Sequence, residues 1–411
     1  MISVEEARAR VVAMVGGLLP RPESLAEAVG LVLAEDVVAG RDLPGFDNSA
    51  MDGFAVQASD TAGASPDAPV SLRLAGEIAA GATGAARLAA GTAVGIMTGA
   101  PLPLGADAVV EVEETSVEGA RVDIRLQVSP GRSVRRAGED TRRGQLALPA
   151  GTWLGAPQLA LLAALGTTLP VCVPRPRVAV IATGDELVDP DVEPGPGQVA
   201  DIVSSAIAAA VSSAGGVPVA VPRAGDTETD VRRALADAVS AKADLVVSVG
   251  GVSMGRYDHV RQVIEAEGEL DFWRVAMRPG KPLAVGRVGG TVVIGLPGNP
   301  VSALVGFEVY VVPVILAMSG RAGWARPRLE CILDTALESA AGLRTFVRAR
   351  VSNGVGGPHA EPVVGQGSHQ LRAMASANAL LDIPEVLERV PAGEIVEAIL
   401  LENPPGPVWR L

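Results

Sequence analysis

The sequence predicts a multidomain α/β plus β-rich protein, with a doubly wound parallel sheet in the middle of the chain, an inserted β domain before it and a C-terminal β domain after it. Three observations carry this. From Val178 onward, strand-like and helix-like runs alternate over roughly 145 residues, as strand–crossover–strand units do. Residues 70–137, and about the last 80, are instead short apolar runs separated by turn residues. Proline-bearing stretches at 170–176 and 321–327 punctuate the joins.

In order, Ser3 and Glu6 form a capping box for a first helix running to about Val15, with Ala7, Val11 and Val15 on one face. A second helix is expected over 24–29, leading into an extended run at 32–38. Strands follow at 70–74, 93–98, 108–113 and 122–128, then a helix at 156–165. In the alternating region the strands are 178–182, 217–221, 245–249, 283–286 and 291–295, and the helices 202–214, 229–240, 259–267 and 300–318. Strands return at 345–351 and 394–400. The domains expected are 1–52 with 138–172, 53–137, 175–322 and 327–411.

A chain of 411 residues is too long for one core. Hydrophobic content of 48% with 3% aromatics describes an Ala/Val/Leu-packed globular protein and does not indicate disorder. No apolar run reaches the 18 or so uninterrupted residues of a membrane span, and the acidic, amphipathic start is unlike a signal peptide, so a cytoplasmic protein is expected. Cys172 and Cys331 lack CxxC spacing and read as packing residues. A net charge of −13 argues against nucleic acid as a partner. An anionic small ligand would need local cations, which act at close range inside the screening length.

The run Leu296, Pro297, Gly298, Asn299, Pro300, Val301, Ser302 ends one strand and opens one helix. Free N–H groups, the helix dipole and the Ser302 hydroxyl make it a place for phosphate or another oxyanion. Just upstream, Arg278, Pro279, Gly280, Lys281, Pro282 form a second stiff loop with two cations. The chain has lysine only at Lys242 and Lys281. A compact ammonium suits a small oxyanion, whereas arginine prefers planar partners. Lys242 reads as a solvated surface residue. Gly250, Gly251 and Gly255 allow close backbone approach, and Ser253 can donate to a phosphate. Glu186, Asp226 and Asp258 fall after strands or in loops at the same sheet edge, where ligands of such folds bind. Carboxylates beside an anion site suit a bridging hard cation such as Mg²⁺.

Pro44 to Ala55, Met97 to Pro101, Gly138-Glu139-Asp140, Ala182 to Leu187, Gly250 to Ser253, Pro279 to Pro282 and Leu296 to Ser302 together resemble the molybdopterin molybdenumtransferases, the MoeA and gephyrin E-domain family. The motifs occur in family order over nearly the whole chain. The resemblance implies a four-domain homodimer with a molybdopterin-binding-like α/β domain. Its implied reaction is insertion of molybdate into adenylylated molybdopterin, releasing AMP with Mg²⁺ or a similar ion. Because the pterin dithiolate supplies the soft sulfur ligands, the protein needs none. The resemblance places molybdate near Lys281, Ser302, Arg348 and Ser368, with Arg278, Pro297, Pro300, Gly251 and Ser253 also against the ligand. It places the metal near Glu186, Asp226 and Asp258, and has Asp52, Thr98 and Asp140 complete the cleft from the partner subunit. Catalytic roles fall to Lys281, Asp52, Asp140, Glu186 and Thr98. The implied partners are a molybdopterin adenylyltransferase and molybdoenzyme maturation proteins, with no nucleic acid and no membrane. Two departures stand out. Ala200-Asp201-Ile202-Val203 replaces a Tyr-Asp-Ser/Thr-Asn run, and Arg278 stands where lysine is usual. The competing readings are adenylyltransferase-type nucleotide chemistry and a gephyrin-like binding scaffold.

Overall fold

The computed structural model describes residues 1–81, 87–252, 259–272, 274–321 and 325–401. They form two compact units. The first comprises Met1–Arg21, Gly30–Val32 and Val173–Leu411, the second Pro22–Val29 and Leu33–Cys172.

The first unit begins with α1 (Val4–Ala13), where Ser3 Oγ accepts the Glu6 N–H at 3.1 Å and Val4, Ala7 and Val11 are buried. Its central sheet contains β1 (Arg177–Ala182), β2 (Val217–Ala220), β3 (Leu245–Val249), β4 (Gly268–Phe272), β5 (Ala284–Val288) and β6 (Thr291–Leu296). The strand order is β2-β1-β3-β6-β5-β4. The first four strands are parallel, and β5 and β4 extend the sheet antiparallel. Side chains alternate between two faces, as a pleated strand requires. Val178, Val180, Val247 and Ile294 pack with α1, with α2 (Ile202–Ser213) and with the 300–318 helix. Ala179, Ile181, Val246 and Val293 pack under α3 (Glu228–Ser240) and α4 (His259–Glu267).

The Pro300–Met318 helix, 19 residues with a mean hydropathy of 2.1, is long and apolar enough to cross a membrane, but 78% of that stretch is buried within the fold. It is a core helix. Its middle, Phe307–Val311, widens into a π turn before Pro313, whose ring cannot accept the regular helical ladder.

The C-terminal strands are β7 (Arg328–Leu333), β8 (Arg344–Gly354), β9 (Gly357–Pro362), β10 (Ala379–Ile383) and β11 (Ile395–Leu400). They pair in the order β8-β9-β7-β11-β10, and β10 returns to pair with β8, so the sheet closes into a barrel. Phe346, Leu380 and Ile399 of this barrel share one apolar core with the central sheet, which makes the two parts one compact unit. Arg344 ties them further, pairing with Asp382 in the barrel and with Glu5 on α1.

The second unit holds a six-stranded sheet in the order 108–111, 53–56, 92–96, 70–78, 121–124, 115–118. The expected strand at 122–128 therefore ends at Ile124. The helix expected at 24–29 is corrected. Ser24 caps a single turn, accepting the Glu27 N–H on its hydroxyl and the Ala28 N–H on its carbonyl, and Gly30 at φ +74° ends it. The seven residues between Pro22 and a left-handed glycine are too few to offset helix nucleation. The helix Ala156–Leu165 forms as expected, closed by Gly166 at φ +80° and by Arg41 Nε donating to Leu165 O at 3.0 Å. Cys172 and Cys331 are free and buried. Burial pushes each thiol up to about 11, which suits packing rather than reactivity.

Candidate functional site

Three loops and the mouth of the barrel enclose a cavity of about 720 Å³ in the first unit. The first loop follows β3. Gly250 takes φ +96° and donates its N–H to Leu296 O at 3.0 Å, and a Cβ there would lie 2.5 Å from Thr183 Oγ1, so glycine is required on both counts. The second loop joins β6 to the core helix. Pro297 and Ser302 line the cavity, Ser302 is only 4% exposed, and Pro300 opens the helix. The Val301 N–H donates to Ser368 O at 3.3 Å, tying the helix start to the barrel loop.

The third loop carries Arg278 and Lys281, both on the cavity wall. Met277–Arg278 adds a short parallel strand beside Arg344–Thr345. Met277 is buried, and Tyr310 Oη donates to its sulfur at 3.1 Å. Lys281 O accepts the Val275 N–H at 3.1 Å, and Gly280 at φ +95° makes the turn between. The loop is thus anchored at both ends, leaving the Lys281 side chain exposed toward the cavity.

Of the residues predicted from the sequence, Gly251, Arg278, Lys281, Pro297, Ser302 and Ser368 line this one cavity. Arg348 lies just behind its lining residues Val347 and Gln366, completely buried. Its Nη2 donates to Gly365 O at 2.8 Å and Gly367 O at 3.3 Å, while Nε and Nη1 are buried without a hydrogen-bond partner among the described residues. Burial lowers the pKa of this guanidinium. Buried donors without acceptors are costly, and a nearby anion would relieve that cost.

Asp226 sits in a reciprocal pair with Asp185. The Asp185 N–H donates to Asp226 Oδ2 and the Asp226 N–H to Asp185 Oδ1, each at 3.1 Å. Glu186 is exposed beside them. Among the described residues no three His, Cys, Asp or Glu side chains gather into a metal-holding cluster. Ser253 and Asp258 lie outside the described residues. Asp201, within the departing Ala200–Val203 run, N-caps α2 through Ser204. In the second unit Asp52 and Thr98 are joined by hydrogen bonds, and Asp140 is exposed on a loop whose N–H donates to Leu43 O at 3.0 Å. From the barrel's share of the cavity wall, sequence reasoning named Ser368 but missed Leu337, Ser339, Thr345, Phe346 and Gln366. The only signal was a glutamine set between two glycines next to Ser368.

The chain matches three family models: the MoeA N-terminal region (domain I and II) over 2–166, the probable molybdopterin binding domain over 179–317 and the MoeA C-terminal region (domain IV) over 330–401. It is 44% identical over 405 residues to molybdopterin molybdenumtransferase 2 of Mycobacterium tuberculosis, covering 96% of this chain and 98% of that protein. The chain belongs to the MoeA family. A molybdopterin molybdenumtransferase of Haemophilus influenzae is 34% identical over 96% of this chain and 98% of its own length. The crystal structure of a MoeA protein from Pyrococcus horikosii superposes with a TM-score of 0.83 at 33% identity, covering 97% of this chain and 99% of that one. The closed barrel is therefore the MoeA C-terminal domain, and the β2-β1-β3-β6-β5-β4 sheet lies in its probable molybdopterin binding domain.

Proposed function

We propose that this MoeA protein is a molybdopterin molybdenumtransferase, inserting molybdate into adenylylated molybdopterin with release of AMP in molybdenum cofactor biosynthesis. The observation that carries the reading is the cavity that gathers Lys281, Ser302 and Ser368, with Arg348 Nε and Nη1, which have no hydrogen-bond partner among the described residues, behind its wall. Molybdate is a compact tetrahedral dianion. Lys281 offers it a point charge, Ser302 and Ser368 offer hydroxyls, and Arg348 adds positive charge in a poorly hydrated setting where it acts at greatest strength. These groups fix the oxyanion's position and leave the sulfur chemistry to the pterin dithiolate.

Glu186 and Asp226 supply hard carboxylate oxygens suited to Mg²⁺, with Asp258 as the third residue of the set. Magnesium commonly takes one or two carboxylates and completes its shell with substrate phosphate and water, so a sparse protein cluster fits a metal that arrives with the nucleotide. When bound, the ion would neutralise phosphate charge. The same reading makes the chain a cytoplasmic homodimer in which Asp52, Thr98 and Asp140 of one copy serve the site of the other.

The test is AMP release from adenylylated molybdopterin with molybdate and Mg²⁺, with molybdenum-loaded pterin measured in parallel. Wild-type chain should yield both products, and failure to do so overturns the reading. Lys281→Ala should fold and lose about ten- to a hundredfold in rate at low molybdate, the effect of deleting a charge-assisted contact. A wild-type rate in that variant would remove Lys281 from the oxyanion site.

A further inference from the structure

We propose that Gln366 is a positioning residue that sets Arg348, and with it Ser368, for the oxyanion; this rests on the oxyanion reading of the cavity. Gln366 Oε1 accepts the Arg348 N–H at 3.1 Å, while its Nε2 donates to Arg348 O at 2.9 Å and to Val363 O at 2.7 Å. Both amide hydrogens are engaged, so Gln366 has no donor left for a ligand although it lines the cavity. The connection runs both ways, because the Arg348 guanidinium donates back to the carbonyls of Gly365 and Gly367 on either side of Gln366. Val363 N–H also donates to Arg348 O, at 2.9 Å. The loop and the arginine are thereby closed into one hydrogen-bonded ring, and Ser368 leaves that ring directly onto the cavity wall.

The barrel supplies an internal control. Three residues along β8, Asn378 treats Val351 in the same way, accepting its N–H at 2.7 Å and donating to its carbonyl at 2.9 Å. Asn378 is 2% exposed and does not line the cavity. One carboxamide therefore braces the barrel alone, and the other braces the barrel at the arginine behind the site.

The experiment uses the full chain and titrates it with molybdate by calorimetry, alongside steady-state kinetics and thermal melts for wild type, Gln366→Ala, Gln366→Glu and Asn378→Ala. Glutamate keeps the shape and the acceptor but cannot donate to Arg348 O or Val363 O, and it brings a negative charge to the cavity wall, so Gln366→Ala carries the decision. Both Gln366 variants should weaken molybdate binding and raise its KM about tenfold, the usual scale for losing a group that orients a ligand-binding residue, with KM for adenylylated molybdopterin unchanged. Asn378→Ala should lower the melting temperature and leave molybdate affinity alone. Because Gln366 also braces the barrel through the Arg348 backbone, the thermal melts separate a loss of fold from a loss of molybdate affinity. Unchanged molybdate affinity in Gln366→Ala, which adds no charge, or a fall in kcat alone, overturns the positioning role. Absence of molybdate binding by wild type would instead overturn the oxyanion reading itself.

Discussion

Thr98 donates both its backbone N–H, at 2.6 Å, and its hydroxyl, at 2.8 Å, to the same oxygen of Asp52. The two residues stand 46 positions apart, and the shared oxygen leaves the other Asp52 oxygen available. The backbone hydrogen bond from Thr98, and then its hydroxyl, hold the Asp52 carboxyl below its ordinary value of 3.8.

Thr98→Val should raise the Asp52 pKa toward, but not to, the ordinary value, because the backbone donor remains. The sign is fixed by linkage. A depressed folded-state pKa stabilises the fold fully above about pH 4 and loses that contribution as pH falls through the depressed value. Carbon-detected NMR titration of the Asp52 carboxyl reads the shift directly. An unmoved midpoint would mean that the hydroxyl plays no part in holding the charge.

Arg326 and Glu308 form a two-bond ion pair, Nε to Oε2 at 2.8 Å and Nη2 to Oε1 at 3.1 Å, with side chains only 8% and 13% exposed. Glu308 belongs to the π turn, so the pair braces the core helix where its ladder is irregular. Arg326→Met removes two hydrogen bonds from a largely buried carboxylate and should lower stability in urea unfolding by more than Arg326→Met combined with Glu308→Met. Equal losses in the two would show that packing, not charge, holds the site.

The anion loops were legible because stiff, punctuated segments announce themselves. Pro279, Gly280 and Pro282, and Pro297, Gly298 and Pro300, mark strand ends, and Lys281 stood out among arginines. The buried strands were equally plain, since β1, β3 and β6 are near-continuous Val/Ile/Ala runs. What composition could not show was long-range closure. The pairing of β8 with β10 that closes the barrel joins residues thirty or more positions apart, and the barrel's mouth brings Thr345, Phe346 and Gln366 to the cavity. The antiparallel addition of β4 was likewise hidden, because its sequence Gly-Glu-Leu-Asp-Phe is short and two of its five residues are acidic. Those acids suit an edge strand, where charge discourages pairing with other chains.

Lys281 lies in the first unit, and Asp52 and Thr98 in the second. If two copies exchange these surfaces, each site needs Lys281 from one copy and Asp52 from the other, as closed two-fold assemblies permit. Asp52→Ala and Lys281→Ala chains should each be nearly inactive alone. Mixed and allowed to exchange, they form heterodimers in which one site carries both lesions and the other carries neither. Random exchange makes half of all dimers mixed, each with one of two sites intact, so activity should recover to about a quarter of wild type. Native mass spectrometry measures the mixed fraction, and AMP release measures the recovery. Heterodimers with no more activity than either parent would place Asp52 and Lys281 in the same chain's site and end the exchange model.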